Sequence, residues 1–205
     1  MESILQTYQP HNPNSLIFEA FPKLQRLNGP VIITEKLDGT NACIIIDSDG
    51  NIAAQSRTKL ITPDKDNFGF AKWVYDNQTA LVTALGEGRH YGEWFGAGIQ
   101  RNYGLTKKLF ALFNTSRWNN TSFLDTDLAL TVVSVLFMGT FPDALMILPN
   151  IMQNLKALGS VTVPGFMNPE GVVLYDTRSG QGYKKTFDYD DSGKGGQKDE
   201  NGNVI

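Results

Sequence analysis

Apolar residues fall into short alternating runs over much of the chain and change to a helical spacing in only a few places. VIITEKL (31–37), ACIIID (42–47) and NIAAQSR (51–57) read as strands, and Ser48-Asp49-Gly50 supplies a hairpin turn between the second and third. From Pro63 to Gly86 the spacing puts Phe70, Trp73, Val74, Leu81 and Leu85 on one face of a single N-capped helix that stops at the glycine. Strands are predicted over 88–95, 108–113 and 129–137, then a helix over 142–158 ended by Gly159, then strands GVVLYD (171–176) and GYKKTFD (182–188). A short helix is predicted over 18–27, broken by Asn28-Gly29-Pro30. Helices interleaved irregularly with hairpins indicate an α+β domain spanning 1–190, not a doubly wound sheet. The polar, glycine-rich stretch 191–205 is predicted to be a disordered tail.

Composition narrows the class. With 41% hydrophobic and 19% charged residues the chain is ordinary for a soluble globular domain. The start, MESILQTYQPHNPN, carries no apolar signal segment, and TVVSVLFMG is too short to cross a bilayer, so no membrane partner and an intracellular, cytoplasmic location are expected. The one cysteine, Cys43, sits in an apolar run, which predicts a buried, inert thiol with no disulfide and no zinc cluster. A net charge of -3 argues against nonspecific coating of nucleic acid, while a local basic groove would survive that average.

Chemistry enters at EKLDGTN, residues 35–41. Lys36 and Asp38 are two apart, so on an extended segment both side chains leave one face, and Gly39 permits a tight turn or a close backbone approach. Alone, such a pair reads as a surface ion pair before a turn, worth under about 1 kcal/mol. Its company in chain order gives it weight: Ser56-Arg57, YGEWFG (91–96), LFALFN (109–114), PEGVVLY (169–175) and GYKKTF (182–187). This series, over about 31–187, resembles the covalent nucleotidyltransferase superfamily of ATP-dependent DNA ligases, RNA ligases and capping enzymes. EKLDGTN, YGEWFGAGIQ and PEGVVLY are most similar to the RNA ligase branch, in its short phage or bacterial form.

The resemblance implies two antiparallel sheets flanked by helices, with a nucleotide cleft between them. It implies a reaction in which Lys36 attacks ATP to give lysyl-AMP, AMP passes to a 5′-phosphate end, and a 3′-hydroxyl displaces AMP to join the strands. A lysine nucleophile must lose its proton, and lowering a reference pKa of about 10.4 by three units takes about 4 kcal/mol, which neighbouring cations and desolvation can supply. Lys184 and Lys185 are the candidates for that role and for holding the α-phosphate. Asp38 either orients the lysine or binds a metal that neutralises it. By resemblance Glu35 and Gly39 belong to the nucleotide site, Glu93 binds the ribose hydroxyls, Phe113 stacks on the purine, and Asn41 and Arg57 contact the nucleotide. Glu170, heading an apolar strand, is a hard-oxygen ligand for Mg²⁺ or Mn²⁺.

Two departures from the family stand out. Asn114 replaces the usual aspartate after the stacking phenylalanine. Adjacent lysines replace K-x-K, so a regular strand puts Lys184 and Thr186 on one face and Lys185 on the other, whereas a bulge brings both lysines inward. The expected partners are nucleic acid ends, RNA favoured, with a partner protein possible as the missing substrate platform. The alternatives are a GTP-dependent capping-type guanylyltransferase, which usually needs an appended module for which no room remains after 190, and a non-catalytic binding module of the same fold.

Overall fold

The computed structural model describes residues 20, 21, 26, 28–119, 121–123 and 126–188. The tail over 191–205 and seven of the ten residues of the helix predicted over 18–27 lie outside them. In chain order the elements are β1 (Pro30–Lys36), β2 (Thr40–Ile46), β3 (Ile52–Ser56), β4 (Leu60–Ile61), α1 (Phe70–Asp76), α2 (Gln78–Leu85), β5 (Gly88–Gly96), β6 (Lys108–Leu112), β7 (Leu130–Val132), β8 (Val135–Thr140), α3 (Phe141–Leu158), β9 (Gly171–Asp176) and β10 (Gln181–Thr186). They build an α+β fold of two sheets, one four-stranded in the order β10-β9-β1-β8 and one six-stranded in the order β4-β3-β2-β5-β6-β7. All pairings are antiparallel except β6 with β7.

Alternation decides what each sheet face carries. On the four-stranded sheet, Val31, Ile33, Val172 and Leu174 point to one side and pack beneath Ala144, Ile151, Met152 and Leu155 of α3. On the six-stranded sheet, Ile44, Ile46, Trp94, Phe110 and Leu112 pack against Phe70, Val74, Leu81 and Leu85 of α1 and α2. A third cluster covers the other face of the six-stranded sheet at Phe95 and Ala111 and takes in Tyr103, Leu37 just after β1 and Val133 just before β8. This hinge cluster lies where the chain passes from one sheet to the other.

Two predicted elements differ from the sequence reading. The helix over 63–86 is divided into a 3₁₀ turn at Pro63–Lys65, α1 and α2. Gly69 takes a left-handed conformation, and Asp66 reaches past it to accept hydrogen bonds from the Ala71 and Lys72 amides, so the helix starts at Phe70. Asn77 breaks the path again between α1 and α2. The strand predicted over 129–137 is two strands in different sheets, with Val133 and Ser134 as the crossing. No turn residue marks that crossing, because Val133 is buried in the hinge cluster. The Ser134 carbonyl accepts the Glu35 amide across it.

No helix among the described residues is long and apolar enough to cross a membrane. Cys43 is buried, and burial pushes its thiol up to about 11, which keeps it protonated and unreactive near neutral pH.

Candidate active site

β1 delivers Lys36 to the cleft at its last position, on the face away from α3. Its Nζ donates to Glu170 Oε2 at 2.7 Å, a pair joined across 134 residues of sequence because β1 and β9 align Lys36 with Gly171. Asp38 takes a different partner: Arg101 Nε donates to its Oδ2 at 3.1 Å. The sequence reading of Lys36 and Asp38 as one pre-formed pair on an extended face is therefore corrected. β1 ends at Lys36, the alternation stops there, and each side chain turns to a residue from a distant loop.

Gly39 is glycine for packing. A Cβ there would lie 2.4 Å from the Trp94 carbonyl oxygen and 2.8 Å from Phe95 Cβ, so the turn could not press against β5. The close approach lets the Gly39 amide donate to Glu93 Oε1 at 3.0 Å, while Asn41 Nδ2 donates to Glu93 Oε2 at 2.8 Å. Burial raises the Glu93 carboxyl to about 7, against the lowering effects of Lys36 and of these two donors; nearby Glu170 raises it further.

A stability prediction follows from Glu93. A carboxyl whose folded pKa lies above its unfolded value favours the protonated native state. Its contribution is complete below about 4.5, is lost as pH rises to about 7, and amounts to about 3 kcal/mol. Thermal unfolding measured across that window should show Tm falling with pH in the wild type and a flatter profile in Glu93→Gln. Equal slopes would contradict the assignment.

Glu35 occupies the other face of β1 and is only 1% exposed. Its Oε2 accepts the Val161 and Thr162 amides at 2.9 and 2.7 Å, whereas Oε1 is equally buried and has no hydrogen-bond partner. Such an orphaned acceptor costs about 1 to 3 kcal/mol until a donor reaches it.

Across β10 the register with β9 is unbroken, pairing Lys184 with Val173, Lys185 with Val172 and Thr186 with Gly171. Because Val173 pairs onward with Thr34 and Gly171 with Lys36, Lys184 and Thr186 share the face that carries Lys36. Lys185 shares the α3 face with Tyr183, whose ring meets Phe141 edge-on at 5.9 Å. The bulge alternative is absent from this pairing. Gly171 sits at φ +146°, and a Cβ there would lie 2.2 Å from the Lys185 carbonyl oxygen, so glycine after Glu170 keeps β9 and β10 in contact.

Phe113 follows β6 and points into the cleft, 42% exposed, while Phe110 is fully buried under α1. Phe113 and Arg57 line a hollow of about 290 Å³ together with Asn41, Cys43, Gln55 and Tyr91. Among the described residues no group of three or more His, Cys, Asp or Glu side chains is placed to hold a metal. Glu170 is a carboxylate of the kind that could hold Mg²⁺, which commonly takes one or two carboxylates and completes its shell with water and ligand oxygens.

Sequence reasoning singled out neither Arg101 nor Tyr103. Arg101 ties three segments together: Nε donates to Asp38, Nη2 to Asp188 Oδ2 at 2.6 Å, and Nη1 to the Asn168 carbonyl at 3.3 Å. Burial alone would lower its pKa, but the contacts to Asp188 and Asp38 outweigh that and raise it. The Tyr103 hydroxyl accepts the Asp38 amide at 2.7 Å. Gln100, Asn102 and Tyr103 all have positive φ, so this short loop holds strain of the kind that concentrates at functional sites. The available signal was the loop phrase GAGIQRNYG directly after the Glu93 strand. Lysine cannot reproduce a three-way guanidinium fork. Arg101→Lys is therefore expected to lower Tm by roughly 4 to 8 °C, for a loss of about 2 kcal/mol in a domain of this size. An unchanged calorimetric Tm would remove Arg101 from the scaffold.

Two sheets linked through the hinge cluster, with a lysine and two buried carboxylates in the cleft, define a nucleotidyltransferase-type fold. The chain belongs to the RNA ligase family, whose model matches residues 29–191. It is similar in fold to an archaeal ATP-dependent RNA ligase at 19% identity, with a TM-score of 0.55, covering 82% of this chain and 48% of that one. The Naegleria gruberi RNA ligase with PPi matches at 18% identity and TM-score 0.52, over 78% of this chain and 50% of that one. A mutant of the Naegleria gruberi ligase with ATP and Mn matches at 15% identity and TM-score 0.51, over 79% and 51%. The chain thus spans about half the length of these structural relatives. No curated protein matches it.

Proposed function

We propose that this chain is an ATP-dependent RNA ligase that works through a covalent lysyl-AMP. The observation that carries the reading is Lys36 at the end of β1, ion-paired to Glu170 and facing the same cleft as Glu93 and Asn41. In the first step Lys36 Nζ, having lost its proton, attacks the α-phosphorus of ATP. The N–P bond forms as the bond to the pyrophosphate oxygen breaks. A 5′-phosphate oxygen of the polynucleotide then displaces Lys36 from the adenylate, and a 3′-hydroxyl finally displaces AMP to form the phosphodiester.

Each remaining residue has a part in that sequence. Glu93, held by the Gly39 amide and Asn41, presents an acceptor edge to the ribose hydroxyls, and Phe113 offers its exposed face to the purine. Glu170 would hold Mg²⁺ or Mn²⁺, which when bound offsets charge on the phosphates and the pyrophosphate leaving group. Relatives with ATP and Mn support the same nucleotide and a divalent ion here.

The deciding experiment incubates the protein with α-labelled ATP or GTP and a divalent metal, resolves it on a denaturing gel, and then assays joining of 5′-phosphorylated RNA and DNA ends. Label from ATP with joining of RNA is expected. Label from GTP alone would favour capping chemistry, and no label would reduce the chain to a binding module.

A further inference from the structure

The cleft face of the six-stranded sheet is organised in rows that its register makes explicit. One row runs Asn41, Glu93, Ala111, with Arg57 just beyond Ser56 at its edge. The next runs Gln55, Cys43, Tyr91, and reaches Phe113, whose amide donates to the Tyr91 carbonyl at 3.0 Å. The third holds Arg89, paired with Ile45, and its Nη1 donates to Gln55 Oε1 at 3.2 Å. The proposed ATP site uses Glu93, Asn41 and Phe113. It leaves Tyr91 and Arg89 unused.

Tyr91 is conspicuous on its strand. It is 50% exposed on a strand otherwise largely buried from His90 to Gly96, so the sheet presents an aromatic ring to solvent beside Phe113. Opposed cross-strand residues have Cβ atoms about 5 Å apart, which makes the two rings neighbouring platforms rather than one. Arginines flank them: Arg57 toward Glu93, and Arg89 on the side away from it. Exposed aromatics interleaved with cations are what a single-stranded polynucleotide needs, because bases stack on the rings while phosphates meet the guanidinium groups. A peptide or lipid partner would not call for that alternation.

We infer that Tyr91 is a second stacking platform, beside the ATP purine site, that takes the terminal base of the 5′-phosphorylated strand, with Arg89 contacting a phosphate further along that strand. The inference rests on the ligase reading for the identity of the strand. It gives the polynucleotide a direction across the sheet, from the Glu93 row toward the Arg89 row.

The test measures direct binding of a 5′-phosphorylated single-stranded RNA oligomer by fluorescence anisotropy, apart from any covalent step. Tyr91→Ala should weaken binding by about tenfold and Tyr91→Phe should largely restore it, because stacking needs the ring and not the hydroxyl. Arg89→Ala should weaken binding more at low salt and reduce the salt slope by about 0.7. No RNA binding by the wild type, or equal affinity in wild type and Tyr91→Ala, would overturn the proposal. So would a loss of ATP affinity in Tyr91→Ala as large as its loss of RNA affinity, which would give the ring to the ATP site. Failure of the lysyl-AMP reading is recorded separately, as absence of label from ATP, and does not interfere with the binding measurement.

Discussion

Lys36→Ala is expected to abolish covalent AMP. Lys36 is the amine that ends β1 against Glu170, so its removal takes away the proposed nucleophile, and label from α-labelled ATP should vanish from the denatured protein. The structure adds an energetic consequence. Lys36 is the ion-pair partner of the buried Glu170, so its removal strands a carboxylate close to Glu93 and should cost about 1 to 3 kcal/mol of stability. The double variant Lys36→Ala/Glu170→Gln removes the stranded charge and should recover most of that loss while remaining unlabelled. Folded protein without label separates the chemical role from the structural one. Acid-labile AMP persisting on Lys36→Ala would end the proposed mechanism.

The second large effect concerns the lysine pair. Lys184 is exposed on the Lys36 face of the sheet, and Lys185 lies on the α3 face. Charge-assisted contacts to phosphate are worth roughly 1.5 to 3 kcal/mol, so Lys184→Ala should slow single-turnover formation of lysyl-AMP by about tenfold to a hundredfold. Lys185→Ala should leave that step close to wild type. Thr186→Lys, which restores two lysines on one face, should leave adenylation unchanged or faster. A loss confined to Lys185→Ala would mean that the strand turns over when nucleotide binds.

The sequence-level reading of the fold was accurate where periodicity was long and punctuated. VIIT, ACIII and GVVLYD became β1, β2 and β9 because alternating β-branched residues on a half-buried strand leave few other solutions. It was least accurate where a tertiary contact overrode a local pattern. The helix predicted over 63–86 reads as continuous because its apolar spacing persists through Asn77, yet the chain bends there to fit two short helices onto one sheet face. The segment over 129–137 reads as one strand because residues in either sheet are apolar. Only the packing shows which sheet each half joins.

By itself the sequence determined the α+β class and the order along the chain of the segments that carry Lys36, Glu93 and Glu170. These follow from local rules of backbone geometry and from residues near one another in the chain. It left Lys184 and Lys185 open between a regular strand and a bulge, which only the observed register with β9 resolved. Only the tertiary structure decided who meets whom: Lys36 with Glu170, Asp38 with Arg101, Phe113 open to the cleft while Phe110 is buried, and Tyr91 displayed beside it. The physical reason is that ion pairs and exposure depend on strand register and loop approach across more than sixty residues of sequence, as in the 63-residue separation of Asp38 from Arg101, and no local pattern encodes that distance.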